Sequence, residues 1–284
     1  MLSLFWRRSV AWLLAGSLAL PVSAAEAELS WGIEPFLPPR TMANAFKVSR
    51  DYMGERSGSR IVISSAASYA QFVPALLRTE YDLAFVGPHS GLLAMQKAGY
   101  VPLVQCGGAL QSVLVVPRDS AYRKPEDLAG QLVALPDALT VTSMLGMEIF
   151  DQGGKRPTAA VRFTHTAFQN EGPLMMLRGE AAASVIARAA YNQLLSPQIR
   201  ADLQIIGESR PVPHMMMLAH SRLPQALRTR LREAALEYLR TTDPAKAVFA
   251  RNCLAADKLL GDDGARQLAP YAEELRRRLQ SIAK

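Results

Sequence analysis

Three short stretches place hydroxyls or an imidazole where the chain turns from a strand into a helix: Ser68-Tyr69, His89-Ser90, and Thr140 to Ser143. Hydroxyls and the unpaired backbone N–H groups of a helix's first turn can together hold an oxyanion. Each stretch alone reads more readily as ordinary helix capping, since Ser and Thr are common caps. Three of them at the same edge of two sheets point instead to a ligand cleft. Enzyme signatures are mostly absent from these stretches and from the rest of the chain. Gly87-Pro88-His89-Ser90-Gly91 has glycines three before and one after the serine, whereas a nucleophile elbow needs them two away on each side. Gly154-Lys155 lacks the upstream glycine spacing and the following Ser or Thr of a phosphate-binding loop. His89, His165, His214 and His220 are the only histidines, and none belongs to an H-E-x-x-H arrangement. No catalytic residue, metal or cofactor is expected.

The elements that must position these residues follow from the apolar pattern. Leu83 to Val86 is a four-residue apolar run, too short for a stable helix and suited to a strand covered on both faces, and Gly87-Pro88 turns the chain after it. Further strands are expected at Leu29 to Ile33, Arg60 to Ile63, Leu110 to Val116, Leu132 to Leu135, Val161 to Thr164, Ala183 to Ile186, Leu203 to Ile206 and Met215 to Ala219. Helices fall between them. Ser68 with Gln71 three residues on is the capping-box pattern, and Pro74 lies inside that helix. Three helices end the chain, at about Pro224 to Thr241, Ala245 to Leu260 and Gly264 to Ile282. Alternating strands and helices predict an α/β fold of two lobes, each a mostly parallel sheet flanked by helices. In such sheets ligands sit outside the carboxyl ends of the strands. The expected division is 25–115 for lobe one, 116–217 for lobe two, and 218–284 returning to lobe one.

Composition bounds the remaining possibilities. The chain has 284 residues, 49% hydrophobic and 20% charged, enough apolar material for a sizeable core. Arg7-Arg8, the apolar segment Ser9 to Leu20 and Val22-Ser23-Ala24 form a secretory signal pattern with cleavage near Ala24. The apolar segment is shorter than the ~20 residues of a membrane span. Its removal takes two arginines and no acid, lowering the net charge from +7 to +5. Basic residues are scattered among acids, so no nucleic-acid partner is expected. Cys106 and Cys253 are the only cysteines. In an oxidising compartment they either pair, or remain as two separately buried thiols.

With these motifs in order, the chain resembles the periplasmic solute-binding proteins of phosphonate, phosphite and phosphate ABC transporters, which have the type II two-lobed periplasmic-binding fold. The resemblance rests on Gly32 and Pro35, Ser68-Tyr69, the Asp-x-Ala-x-x-Gly-Pro run from Asp82 to Pro88, Ser112 to Val116 with Asp119-Ser120, Asp127 to Gly130, Leu177 to Glu180, and Leu223-Pro224. It implies a ligand clamped between the lobes, its oxyanion held at Thr140, Thr142 and Ser143 and by Tyr69 from the other lobe; His89, Ser90, Ser112, Gln169 and Asn170 are the further candidate ligand-binding residues. Four departures stand out. The family's Ser-Thr-Ser run is Thr140-Val141-Thr142 here, Gln169 or Asn170 stands where phosphonate binders tend to place a histidine, and Ala181-Ala182-Ala183 offers no acid for a ligand amine. Gly91 is expected to leave space where relatives carry an aromatic ring. The implied function is capture of a small oxyanion by a periplasmic monomer for an inner-membrane ABC permease. The alternatives are presentation of the bound form to a membrane sensor kinase and, last, an exported enzyme on the same scaffold.

Overall fold

The computed structural model describes residues 27–151, 161–243, 247–253, 256 and 258–282. The signal pattern with its cleavage position, and Gly154-Lys155, lie outside the described residues. Two five-stranded sheets share the chain. The first has the order β2 (Ser59–Ser64), β1 (Ala27–Ile33), β3 (Leu83–Val86), β12 (Met216–His220), β4 (Tyr100–Gln105). The second has the order β10 (Leu203–Glu208), β6 (Ser112–Pro117), β9 (Ala183–Ala187), β7 (Leu132–Leu135), β8 (Arg162–His165). Each combines parallel pairs with antiparallel ones: β12 runs against β3 and β4, and β6 runs against β9 and β10. Strand β4 has no counterpart among the sequence expectations, because Pro102 interrupts its apolar pattern.

Strand β3 shows why a four-residue apolar run suffices. It is flanked by β1 in parallel and β12 in antiparallel register, and all four residues are buried. Its entry is pinned by Asp82, whose carboxylate accepts from Ser30 N and Ser30 Oγ, both at 2.9 Å, and from Arg222 Nε at 3.0 Å. The core beneath is aromatic. Trp31 meets Phe46 edge-on at 5.6 Å, and Phe249 meets Phe85 edge-on at 5.2 Å. Helix α1 (Pro39–Ser57) supplies Phe46 and ends at Gly58, whose φ of 68° makes the left-handed cap. Helices α2 (Tyr69–Leu77) and α3 (Pro88–Lys97) complete the N-terminal part of this unit.

The chain crosses between sheets twice, through the two-stranded antiparallel ribbon of β5 (Ala109–Leu110) and β11 (Val212–Pro213). The expected run from Leu110 to Val116 is therefore broken at Gln111, and β6 lies wholly in the second sheet. Both crossings come a few residues before the expected points near Val115 and Met217. The polar pair Gln111-Ser112 gives no local sign of which sheet the apolar residues on either side of it join.

The second sheet carries α4 (Val141–Asp151), α5 (Glu171–Leu177), α6 (Arg188–Leu194) and α7 (Pro197–Ala201). The C-terminal part returns to the first sheet as α8 (Gln225–Thr241), α9 (Val248–Asn252) and α10 (Asp262–Ile282). Helix α9 is a short piece of the longer helix expected from Ala245. It is held by Phe249 in the aromatic core and by a disulfide from Cys253 to Cys106, just past β4. Helix α10 reaches across to the second unit, where Tyr271 Oη donates to Glu148 Oε1 on α4 at 2.6 Å. Leu139, Val141 and Leu145 share one apolar cluster with Val86, Leu92 and Leu275. Among the described residues no helix is long and apolar enough to cross a membrane.

Candidate functional site

Two helix starts face a cavity between the sheets, and the residues before each decide what it can bind. Ahead of α4, the apolar strand β7 ends at Leu135, just before Pro136, and Asp137 makes a local turn: its Oδ1 accepts from Leu139 N at 2.8 Å and its backbone oxygen from Thr140 Oγ1 at 2.8 Å. Thr140 Oγ1 in turn accepts from Ser143 N at 3.1 Å, the geometry of an N-cap. The N–H groups of Val141 and Thr142 belong to the first turn, where no preceding residue of the helix can satisfy them. Both residues line the cavity. Thr142 Oγ1 accepts from Gln169 Nε2 at 3.4 Å, and Gln169 Oε1 accepts from Ala187 N at 3.2 Å. Gln169 thereby ties the start of α4 to the end of β9.

The start of α3 is built differently. Glu34, the residue after β1, turns its carboxylate onto it: Oε2 accepts from Gly87 N at 2.6 Å and Oε1 from Ser90 Oγ at 2.7 Å. Only 4% of Glu34 is exposed. Burial raises its pKa to about 7, against the lowering effect of those two hydrogen bonds, and nearby Asp137 pushes the same way as burial. His89 Nε2 lies 2.8 Å from Leu139 O. A carbonyl only accepts, so Nε2 carries the proton and the buried Nδ1, which has no partner, is a bare acceptor. Burial lowers the His89 pKa to about 4, leaving the ring neutral. Tyr69, buried against the same space, is raised well above its ordinary value by burial and then by Glu34.

The third wall comes from the C-terminal part. Arg251 and Asn252 on α9 line the cavity, and Arg251 Nε is buried without a hydrogen-bond partner. Among the described residues no carboxylate pairs with Arg251. His214 also lines the cavity. Its Nδ1 is buried and unpartnered, and burial lowers its pKa to about 4. The backbone at His214 is held by Gln105 Nε2 at 2.7 Å, one residue from Cys106. The cavity encloses about 790 Å³ of empty space, counting the part open to solvent, and Phe36, Leu110, Val141, Ala187, Leu194 and Val248 make much of it apolar.

Of the residues expected from the sequence, Tyr69, His89, Thr140, Thr142 and Gln169 line this cavity together. Ser90 lies behind it, bonded to Glu34. Ser112 donates to Thr142 O at 2.8 Å and so supports the α4 start from below. The Ser143 hydroxyl is buried without a partner, and half-buried Asn170 precedes α5 outside the lining. Gly91 leaves no space: a Cβ there would meet Met216 Sδ at 2.4 Å, so a methionine from β12 fills the place expected to be open. Sequence reasoning missed Glu34, Arg251, Asn252 and His214. The signal for Glu34 was an acid closing an apolar strand directly before a proline. No local signal marks Arg251, which reads as one more charge on an amphipathic helix.

Among the described residues no group of His, Cys, Asp or Glu could hold a metal ion. A family model described as "ABC transporter, phosphonate, periplasmic substrate-binding protein" matches residues 31–256. A search of curated proteins found no match. Among solved structures, PhnD1 from Prochlorococcus marinus (MIT 9301) in complex with methylphosphonate superposes with a TM-score of 0.76 at 13% identity, covering 88% of this chain and 98% of that one. A binding protein component of an ABC phosphonate transporter from Pseudomonas aeruginosa gives a TM-score of 0.69 at 14% identity, covering 91% and 100%. XAC2383 from Xanthomonas citri bound to ATP gives 0.68 at 16% identity, covering 91% and 100%. At these identities the likeness is one of fold, a type II two-lobed periplasmic binding protein.

Proposed function

The chain belongs to the periplasmic substrate-binding proteins of phosphonate ABC transporters, and within that family we propose that its cargo is a small organic oxyanion bearing an apolar substituent. The observation that carries this is the pairing, in one mostly apolar cavity, of the α4 first-turn N–H groups with Arg251, a cation that no described carboxylate neutralises. The dipole of α4 and the guanidinium both favour a negative charge between them. Neutral His89 and His214 add no charge of their own. Phe36, Leu110 and Val248 offer nothing to an inorganic ion but suit an alkyl group.

The lobes are 27–110 with 214–282, and 112–209, and the β5/β11 ribbon is the hinge between them. Closure of the second lobe onto the first gives an inner-membrane permease a bound state to recognise. The protein acts as an exported monomer, with its signal peptide cleaved near Ala24. Turnover plays no part in this role, since the Ser90 hydroxyl is engaged by Glu34 and His89 Nε2 by a backbone carbonyl.

Isothermal calorimetry with methylphosphonate, methanesulfonate, inorganic phosphate and sulfate tests the assignment. The organic anions bind, and they raise the melting temperature as ligand at ~100 times its Kd adds ~2.7 kcal/mol of stability. Absence of binding by every one of these anions overturns it.

A further inference from the structure

Glu34 lines the cavity, is almost wholly buried, and covers with its own oxygens the two donors at the start of α3. Among the described residues no cation pairs with it. We infer that Glu34 sets the charge of the cargo: its carboxyl occupies the place where lobe one would hold an anion, so the cavity admits a singly charged oxyanion when Glu34 is protonated and resists anions, dianions most of all, when it is not. This rests on the oxyanion assignment above and adds the residue that reads the ligand's charge.

The groups around Glu34 leave it as the lining residue that changes charge near neutrality. From α2 it is faced by Tyr69, which stays neutral because burial raises its pKa. From α3 come Ser90 and His89. The latter is neutral above about pH 4 and feels Arg278 of α10. From the turn before α4 comes Asp137, itself raised by burial and close to His165. From the C-terminal part Arg251 and His214 line the same cavity, the latter neutral above about pH 4. Glu34 titrates at about 7, inside the range where a small change of pH alters its charge. A bound anion and a Glu34 carboxylate repel each other in a site of low dielectric, so binding and protonation assist one another.

Methanesulfonate is the probe of choice, because it is singly charged throughout the accessible pH range and any proton taken up belongs to the protein. Calorimetry on the wild-type protein is expected to show its Kd weakening about tenfold from pH 6 to pH 8, the limit set by one group titrating at about 7. In Glu34→Gln the Kd is expected to stay flat and to be about tenfold tighter than wild type at pH 8. Equal pH slopes in the two proteins overturn the inference while leaving the oxyanion assignment intact. Absence of methanesulfonate and methylphosphonate binding at every pH overturns both. Should Glu34→Gln fail to fold, wild-type titrations at pH 7.5 in two buffers of different ionisation enthalpy decide: uptake of about three-quarters of a proton supports the inference, and uptake near zero overturns it.

Discussion

At the start of α3 the donors Gly87 N and Ser90 Oγ are engaged by Glu34 at 2.6 and 2.7 Å, whereas at the start of α4 Val141 and Thr142, whose first-turn N–H groups have no helical partner, line the cavity. The two sites come from the same local grammar, an apolar strand, a turn and a hydroxyl at the helix start. What separates them is a residue 53 positions upstream of Gly87. A helix start is an anion site by default, and whether it serves a ligand depends on whether the chain has already supplied an anion of its own. The start of α4 keeps its first-turn donors, while the start of α3 has its own taken by Glu34.

The largest effect that would break this contrast concerns stability against pH. The Glu34 pKa is raised on folding from 4.5 to about 7, so the folded state holds its proton longer, and stability falls as pH rises from about 4.5 to 7 and is then constant. That difference corresponds to about 3 kcal/mol. His89 and His214 act in the opposite sense: their lowered values make stability rise between about pH 4 and 6.5. Subtracting urea-unfolding free energies of Glu34→Gln from wild type at pH 4.5 and 7.5 cancels the histidines. The expected change in that difference is about 3 kcal/mol in favour of the variant at the higher pH. A change below about 1 kcal/mol means that Glu34 is not the buried acid described here.

A smaller effect sharpens the open side. Arg251→Gln is expected to weaken methanesulfonate binding by about ten- to thirtyfold, the worth of one charge-assisted contact, with little change in the unfolding midpoint. Unchanged affinity would place the ligand's charge elsewhere in the cavity. The smallest effect tests the cap. Thr140→Ala removes the acceptor of Ser143 N and is expected to cost about 1 kcal/mol of stability, measured by urea unfolding, while loosening the donors at Val141 and Thr142. The same substitution at Ser68, whose Oγ accepts from Gln71 N at a longer 3.3 Å, should cost less.

Much of this architecture was legible in the residues. Leu83 to Val86, Leu132 to Leu135 and the Ser68 cap fall where local patterns put them, because burial on both faces and capping are short-range demands. Tyr69, Thr140 and Thr142 were legible as residues of one cavity wall for the same reason: they stand at helix starts. Strand β4 was not, since Pro102 breaks the pattern of a strand that only β12 completes. Glu34 was hidden because its partners lie more than 50 residues away, and an acid before a proline reads first as a loop. Gly91 misled in the opposite direction. A missing side chain suggested room for ligand, while Met216 from a distant strand had already taken that room.

The bond between Cys106 and Cys253 has a topological consequence. These residues lie 147 positions apart, and every strand of the second sheet falls between them. The second lobe is therefore a covalently closed insertion, a ring whose clasp is in the first lobe. A protease nick anywhere along that ring leaves two fragments still joined, so cleaved protein should run as one species on a non-reducing gel and as two after reduction. The clasp lies one residue beyond Asn252 and two beyond Arg251, so the cavity-lining end of α9 stays tethered to the first lobe even after the chain between the sheets is cut.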